Sequence, residues 1–136
     1  MSYNELPFFF GTENGHLATE DFVLRLPQGI QDKTALFADY LKAGRFPAYF
    51  GNNWDALSDC LRDFSWIDQR RIVIVHSDLP LSSNEKELQT YLDILDTAVK
   101  LWKQQEQHKL VIIFPHEIKT TVARLLNKSK DSTSNV

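Results

Sequence analysis

FPAYFGNNWDALSDCLRDF, residues 46–64, is the stretch on which the reading of the chain turns. It opens with aromatics, a proline, Gly51 and paired asparagines, and then becomes a helical pattern. Pro47 disfavours helix at Phe46 and separates the segment from what precedes it. Gly51 sits where a turn must be made and is expected to take a positive φ. Asn53 has the short acceptor side chain of an N-cap. Asp55 then falls in the first turn, where the helix dipole favours an anion.

At roughly 100° per residue, Trp54, Leu57, Leu61 and Phe64 gather on one face, with Cys60 at its flank. Asp55, Asp59 and Asp63 run along nearly the opposite face, with Ser58 and Arg62 beside them. The apolar face is explained by core packing. The acidic stripe costs only a few tenths of a kcal/mol per pair, on the order of 0.2–0.5, which a solvated surface tolerates. The loop before it shifts the balance. Tyr49 and Phe50 are adjacent aromatics that cannot easily both be buried in a tight turn. An exposed aromatic beside aspartates is the composition of a binding surface.

Outward from this segment the chain alternates. LPFFF at 6–10 and FVLRL at 22–26 read as short strands, with Gly11, Asn14 and Gly15 as turn residues between them. Either a hairpin or an irregular extension fits residues 1–20. A helix pattern runs from Asp32 to Ala43 with Gly44 as its stop. RIVIVHS at 71–77 and LVIIF at 110–114 are near-continuous apolar runs, the pattern of strands buried on both faces. Between them a long amphipathic helix is expected from Asn84 to Gln107. Residues 117–126 form a last amphipathic piece, and the polar tail 127–136 reads as disordered. Strands alternating with helices imply a parallel α/β sheet covered by helices. The expected organisation is an N-terminal extension, 1–20, carrying an optional extra strand, one domain over 21–126, and the tail.

The bulk numbers are consistent with this. A chain of 136 residues with 43% hydrophobic content can close one core without a metal or disulfide. Its single cysteine, Cys60, makes an intramolecular disulfide impossible. MSYNELPFFF has no basic residue before its short apolar run and is not a signal peptide, and no run approaches the roughly 20 residues of a membrane span. A cytoplasmic protein is expected, monomeric when free. The net charge of −3 disfavours direct nucleic-acid binding and permits a basic partner.

Pro47, Tyr49, Phe50-Gly51, Asn53, Asp55-Ala56-Leu57 and Asp59-Cys60-Leu61 resemble the signature segment of the barstar family, small intracellular inhibitors of barnase-type secreted ribonucleases. The element order over residues 22–114 extends the resemblance. It implies a two-layer α/β fold with a three-stranded parallel sheet packed by helices. It also implies a protein partner, a cationic ribonuclease whose active site is plugged by the loop and acidic helix in place of RNA phosphates. On that resemblance Tyr49 is the tyrosine that packs on a catalytic histidine, and Asp55 and Asp59 are contact carboxylates, Asp59 the one that enters the phosphate site. The implied partner-binding set is Tyr49, Phe50, Gly51, Asn52, Asn53, Asp55, Ser58, Asp59, Arg62 and Asp63, with no catalytic residue, cofactor or metal. The chain departs from the family type at Asn52 (acidic there), Ser58 (a large aromatic), Asp63 (glycine) and Phe64 (tryptophan). A further contact carboxylate on the long helix has three candidates, Asp93, Asp96 and Glu106.

Two other classes compete. The fold could serve a non-nuclease interaction module, since fold does not fix function. An enzyme could use His76 and Asp78, which fall at the C-terminal end of a strand, the edge where open α/β sheets bind ligands. Against the enzyme, no nucleophile motif, phosphate loop or metal spacing is present.

Overall fold

The computed structural model describes residues 6–12 and 15–134, with side chains through residue 128. In chain order the elements are β1 (Phe9–Phe10), β2 (Phe22–Leu26), α1 (Lys33–Ala43), α2 (Trp54–Leu61), β3 (Arg71–His76), α3 (Glu85–Trp102), β4 (Lys109–Phe114) and α4 (Lys119–Ser134), the last entered through a 3-10 turn at His116–Ile118. The strands form one parallel sheet in the order β1-β4-β3-β2.

The two apolar runs, β3 and β4, lie at the centre and are buried on both faces, which is why they do not alternate. In-register neighbours share a face. Leu24, Ile74 and Ile112 point into the main core with the apolar faces of the helices. Val73, Val75, Val111 and Ile113 form a second, smaller cluster on the other face, with Leu17 and Val23 packed against it.

The second cluster follows from chain direction. The connections β2→β3 and β3→β4 step one way across the sheet, with helices over the main core. The link from β1 to β2 steps the opposite way, so the same right-handed rule sends it over the opposite face. Leu17 lies there. Arg71 fastens the link by donating to the carboxylate of Asp21 and to the carbonyl of His16. The LPFFF run therefore does not hairpin with β2. It supplies a fourth strand at the far edge, where Gly11 N–H also donates to Phe114 O (3.0 Å). The sheet has the three expected parallel strands and a fourth, the optional strand of the N-terminal extension.

The C-terminal part also differs from expectation. Residues 127–134 continue α4 instead of forming an irregular tail. Arg124 and, at the start of this segment, Lys128 reach Glu85 in the first turn of α3, at 3.2 Å each. Residues 135–136, residues 1–5 of the extension and the expected turn residue Asn14 lie outside the described residues.

Candidate functional site

The segment 44–54 carries the chain from α1 into α2. α1 stops at Gly44, whose N–H returns to Tyr40 O at 2.8 Å. Glycine is needed there for space, because a Cβ would meet Phe46 Cε1 at 2.7 Å, Tyr40 O at 2.8 Å and Leu24 Cδ1 at 2.9 Å. The left-handed residue of this stop is Arg45, at φ 54. Pro47 O then accepts from Phe50 N–H (3.0 Å), closing a turn with Tyr49 at its corner.

That turn separates the two adjacent aromatics. Tyr49 is 77% exposed, whereas Phe50 is 7% exposed and packs edge-on against Phe37 and Phe46. Phe50, grouped with the partner-binding residues by sequence, supports the turn from inside. Positive φ was expected at Gly51 and falls instead on Asn52, at φ 53, a conformation asparagine tolerates. Asn52 thus has a local reason to stand where the family type is acidic.

Asn53 caps α2 as expected, its Oδ1 accepting from Ala56 N–H at 2.8 Å. Leu57, Cys60 and Leu61 face the core, while Asp55 and Asp59 face solvent. Ser58 is half-buried. The helix ends at Leu61, a turn earlier than the periodicity indicates, because Phe64 turns left-handed (φ 48) and inserts fully into the core against Phe46, Trp66 and His108. Asp63 therefore sits in the exit turn, accepting from Ser65 Oγ (3.2 Å), and not on the helical stripe. Arg62 lies between, donating through Nη2 to Asp59 Oδ1 at 2.9 Å and through Nε to Ser58 O at 3.2 Å.

Both ends of α2 are held by indole hydrogen bonds that the helical periodicity, which puts Trp54 simply in the core, does not reveal. Trp54 Nε1–H donates to Glu87 Oε2 on α3 (2.9 Å), and Glu87 lies 3.4 Å from Lys33 of α1. At the other end Trp102 Nε1–H donates to Leu61 O (2.8 Å), satisfying one of the carbonyls a helix terminus leaves unpaired. His108 bonds Phe64 O (3.0 Å) just beyond. The only advance signal was that tryptophans recur where an indole N–H can reach a partner. The result is a short helix whose backbone is fixed before anything binds, with Asp59 76% exposed at its side-chain level. Burial, reinforced by the negative charges of Asp63 and Asp59, pushes the Cys60 thiol up, so it behaves as an inert core residue.

Of the enzyme candidates, His76 and one carboxylate oxygen of Asp78 are engaged internally. His76 is buried, stacked on Phe114 at 3.9 Å, with Nδ1 bonded to Ile113 O (3.0 Å) and Nε2 to the Tyr91 hydroxyl (2.7 Å). A carbonyl only accepts, so Nδ1 carries the proton. Burial outweighs the Ile113 bond and pushes the imidazole down to about 3, so the ring is neutral and Nε2 accepts from Tyr91. Asp78 Oδ2 accepts from Gly29 N–H at 2.9 Å and closes the loop after β2. On the long helix, Asp93 accepts from Gln89 and Asp96 pairs with Lys100 at 3.0 Å, while Glu106 lies beyond the end of α3. Among the described residues no cluster of His, Cys, Asp and Glu could hold a metal ion. No described helix is long and apolar enough to cross a membrane.

The arrangement is a fixed anionic ridge with a projecting tyrosine beside it, suited to meeting a cationic surface. A search of curated proteins and one of solved structures returned no match. A family model does match, over residues 22–114, from β2 to the end of β4 and including the whole ridge. By that match, the chain belongs to the barstar family, described as Barstar (barnase inhibitor).

Proposed function

We propose that this chain inhibits a cationic ribonuclease by seating α2 and the Tyr49 turn in its active site, the carboxylates taking the places of RNA phosphates. The family role is inhibition of barnase-type ribonucleases, with a ribonuclease protein as partner. The single observation that carries the mechanism is the solvent-facing Asp59 and Asp55 on a helix held at both ends. Preorganised carboxylates need no reordering on binding, and each meets a cation that is already desolvated in the cleft. Tyr49 adds an aromatic plane with little entropy to lose. Asp63, beyond the helix, adds charge at the rim, where it steers the encounter more than it holds the complex. The inhibitor would act in the cytoplasm as a monomer, shielding the cell from a nuclease bound for export.

The test is a ribonuclease assay against a panel of barnase-type and other basic nucleases, with increasing amounts of the protein. Stoichiometric loss of RNA cleavage by at least one member is expected, with association slowing as salt rises. Undiminished cleavage across the panel at excess protein would overturn the proposal.

A further inference from the structure

β1 pairs with only Ile113 and Phe114, so the edge of β4 from Lys109 to Ile112 has no strand beside it among the described residues. A cavity of about 370 Å3 opens there, between that edge, the approaching Leu6–Pro7 segment and the end of α3. Its apolar wall includes Phe9, Val99, Trp102 and Val111. Phe9 is one of the few large apolar side chains left exposed.

Three cations line the same cavity: Arg70 where β3 begins, Lys109 where β4 begins, and Lys103 at the cap of α3. All three are exposed, and none forms an ion pair among the described residues. Among the described residues no Asp or Glu lines the cavity. The terminal carbonyls of α3 would repel an anion, but they are occupied. Val99 O, Leu101 O and Trp102 O accept from the N–H groups of Lys103, Gln104 and Gln105.

A hollow of this size with apolar walls and a few converging polar groups has the build of a small-ligand site. Unpartnered lysines and an arginine select an anionic head through charge-assisted hydrogen bonds. Leu6, Pro7 and Phe9 precede the family-matched segment, so this chain's own extension closes one side of a cavity whose other walls lie within that segment, and no residue of α2 or of the Tyr49 turn lines it. We propose that the cavity binds a small organic anion, an aromatic or branched apolar body carrying a phosphate or carboxylate head.

The experiment is a heteronuclear NMR titration of the full chain with 1-naphthyl phosphate, whose dianion faces the three cations. Saturable shifts are expected at the Trp102 indole and at the amides of Lys103, Lys109 and Leu110. Neutral 1-naphthol should bind about tenfold more weakly or worse. Lys103→Glu with Lys109→Glu should weaken the phosphate by about tenfold or more, with Lys103→Gln intermediate. Thermal melting, and the stoichiometry of ribonuclease inhibition at 0.15 M salt or above where long-range steering is screened, should be unchanged in these variants. Absence of saturable shifts, shifts mapping to another face, or equal affinity in the charge-reversed protein would overturn the site.

Discussion

Asp59 and Asp21 are both aspartates paired with an arginine, and the two pairs do opposite work. Asp59 is 76% exposed and its partner, Arg62, stands three residues along the same segment. Asp21 is 3% exposed and its partner, Arg71, is fifty residues away in sequence. Water and salt screen the first pair, so the carboxylate remains available to a stronger cation. In the second pair the Asp21 carboxylate is withdrawn from water while Arg71 stays partly exposed; Ala18 N–H on the acid and His16 O on the base complete it, and it closes the β1–β2 link over the second face of the sheet. Identical chemistry thus leaves a carboxylate open to solvent in one place and makes a clasp in the other. Exposure decides which.

The comparison can be broken from the clasp side first. Arg71→Met strands the Asp21 charge and frees the link from Val73, Val75, Val111 and Ile113. We expect a loss of about 3 kcal/mol in urea unfolding, the order seen when one partner of a buried pair is removed. Ribonuclease inhibition at a temperature where the variant is folded should not change. A variant that keeps its stability would show that the link is not fastened by this pair.

Asp59→Ala is the converse. Removing an exposed carboxylate should alter stability by less than about 0.5 kcal/mol. Inhibition should weaken about a hundredfold or more, because a cation in the nuclease cleft is left desolvated without its partner. Titration of ribonuclease activity gives the affinity, and thermal melting the control. Undiminished inhibition would remove the ridge from the interface.

How much of this contrast was legible in the sequence depends on whether a feature is local. The order of strands and helices, the N-cap at Asn53 and the solvent-facing Asp55 and Asp59 all follow from periodicity within one segment. The end of α2 did not. Phe64 continues the apolar face of an ideal helix, and only its insertion between Phe46 and His108 turns it out of the helix and takes Asp63 with it. Tyr49 and Phe50 are equivalent as neighbours on paper; the Pro47 turn assigns one outward and one inward. The partner of β1 was not readable, because a two-residue strand has no register of its own. Residues 127–134 continue α4, and the pairing of Arg124 and Lys128 with Glu85, about forty positions away, is invisible to a local pattern.

His76 sharpens the contrast as a buried ionisable group with all its bonds directed inward. Its pKa is pushed down to about 3 in the folded protein, from an ordinary value of 6.5. Below pH 6.5 the unfolded chain takes up a proton that the folded chain refuses, so stability is full above that pH and is lost as pH falls toward 3. Between pH 7 and pH 5 this amounts to about 2 kcal/mol. Urea unfolding at pH 7, 6 and 5 should show the decline, and His76→Gln should flatten it even though its stability at pH 7 is lower. An equal slope in the variant would assign the pH dependence to other groups.

The smallest expected effect bears most directly on the exposed pair. Arg62→Ala removes the local cation from Asp59 and the bond from Arg62 Nε to Ser58 O. Stability should fall by only a few tenths of a kcal/mol, about 0.3, as for other exposed pairs on one helix. The ridge becomes more negative by one charge, so association with a cationic nuclease should quicken by about two- to threefold at low ionic strength. The gain should fade as the screening length shrinks from roughly 30 Å at 0.01 M salt to roughly 8 Å at 0.15 M. Stopped-flow association at both salts separates the two roles open to Arg62. A faster, salt-sensitive encounter means that Arg62 only shields Asp59 until the partner's cation displaces it. A slower encounter, or a faster dissociation, would mean that the arginine is itself a contact, and that the exposed pair binds as a unit rather than through its carboxylate alone.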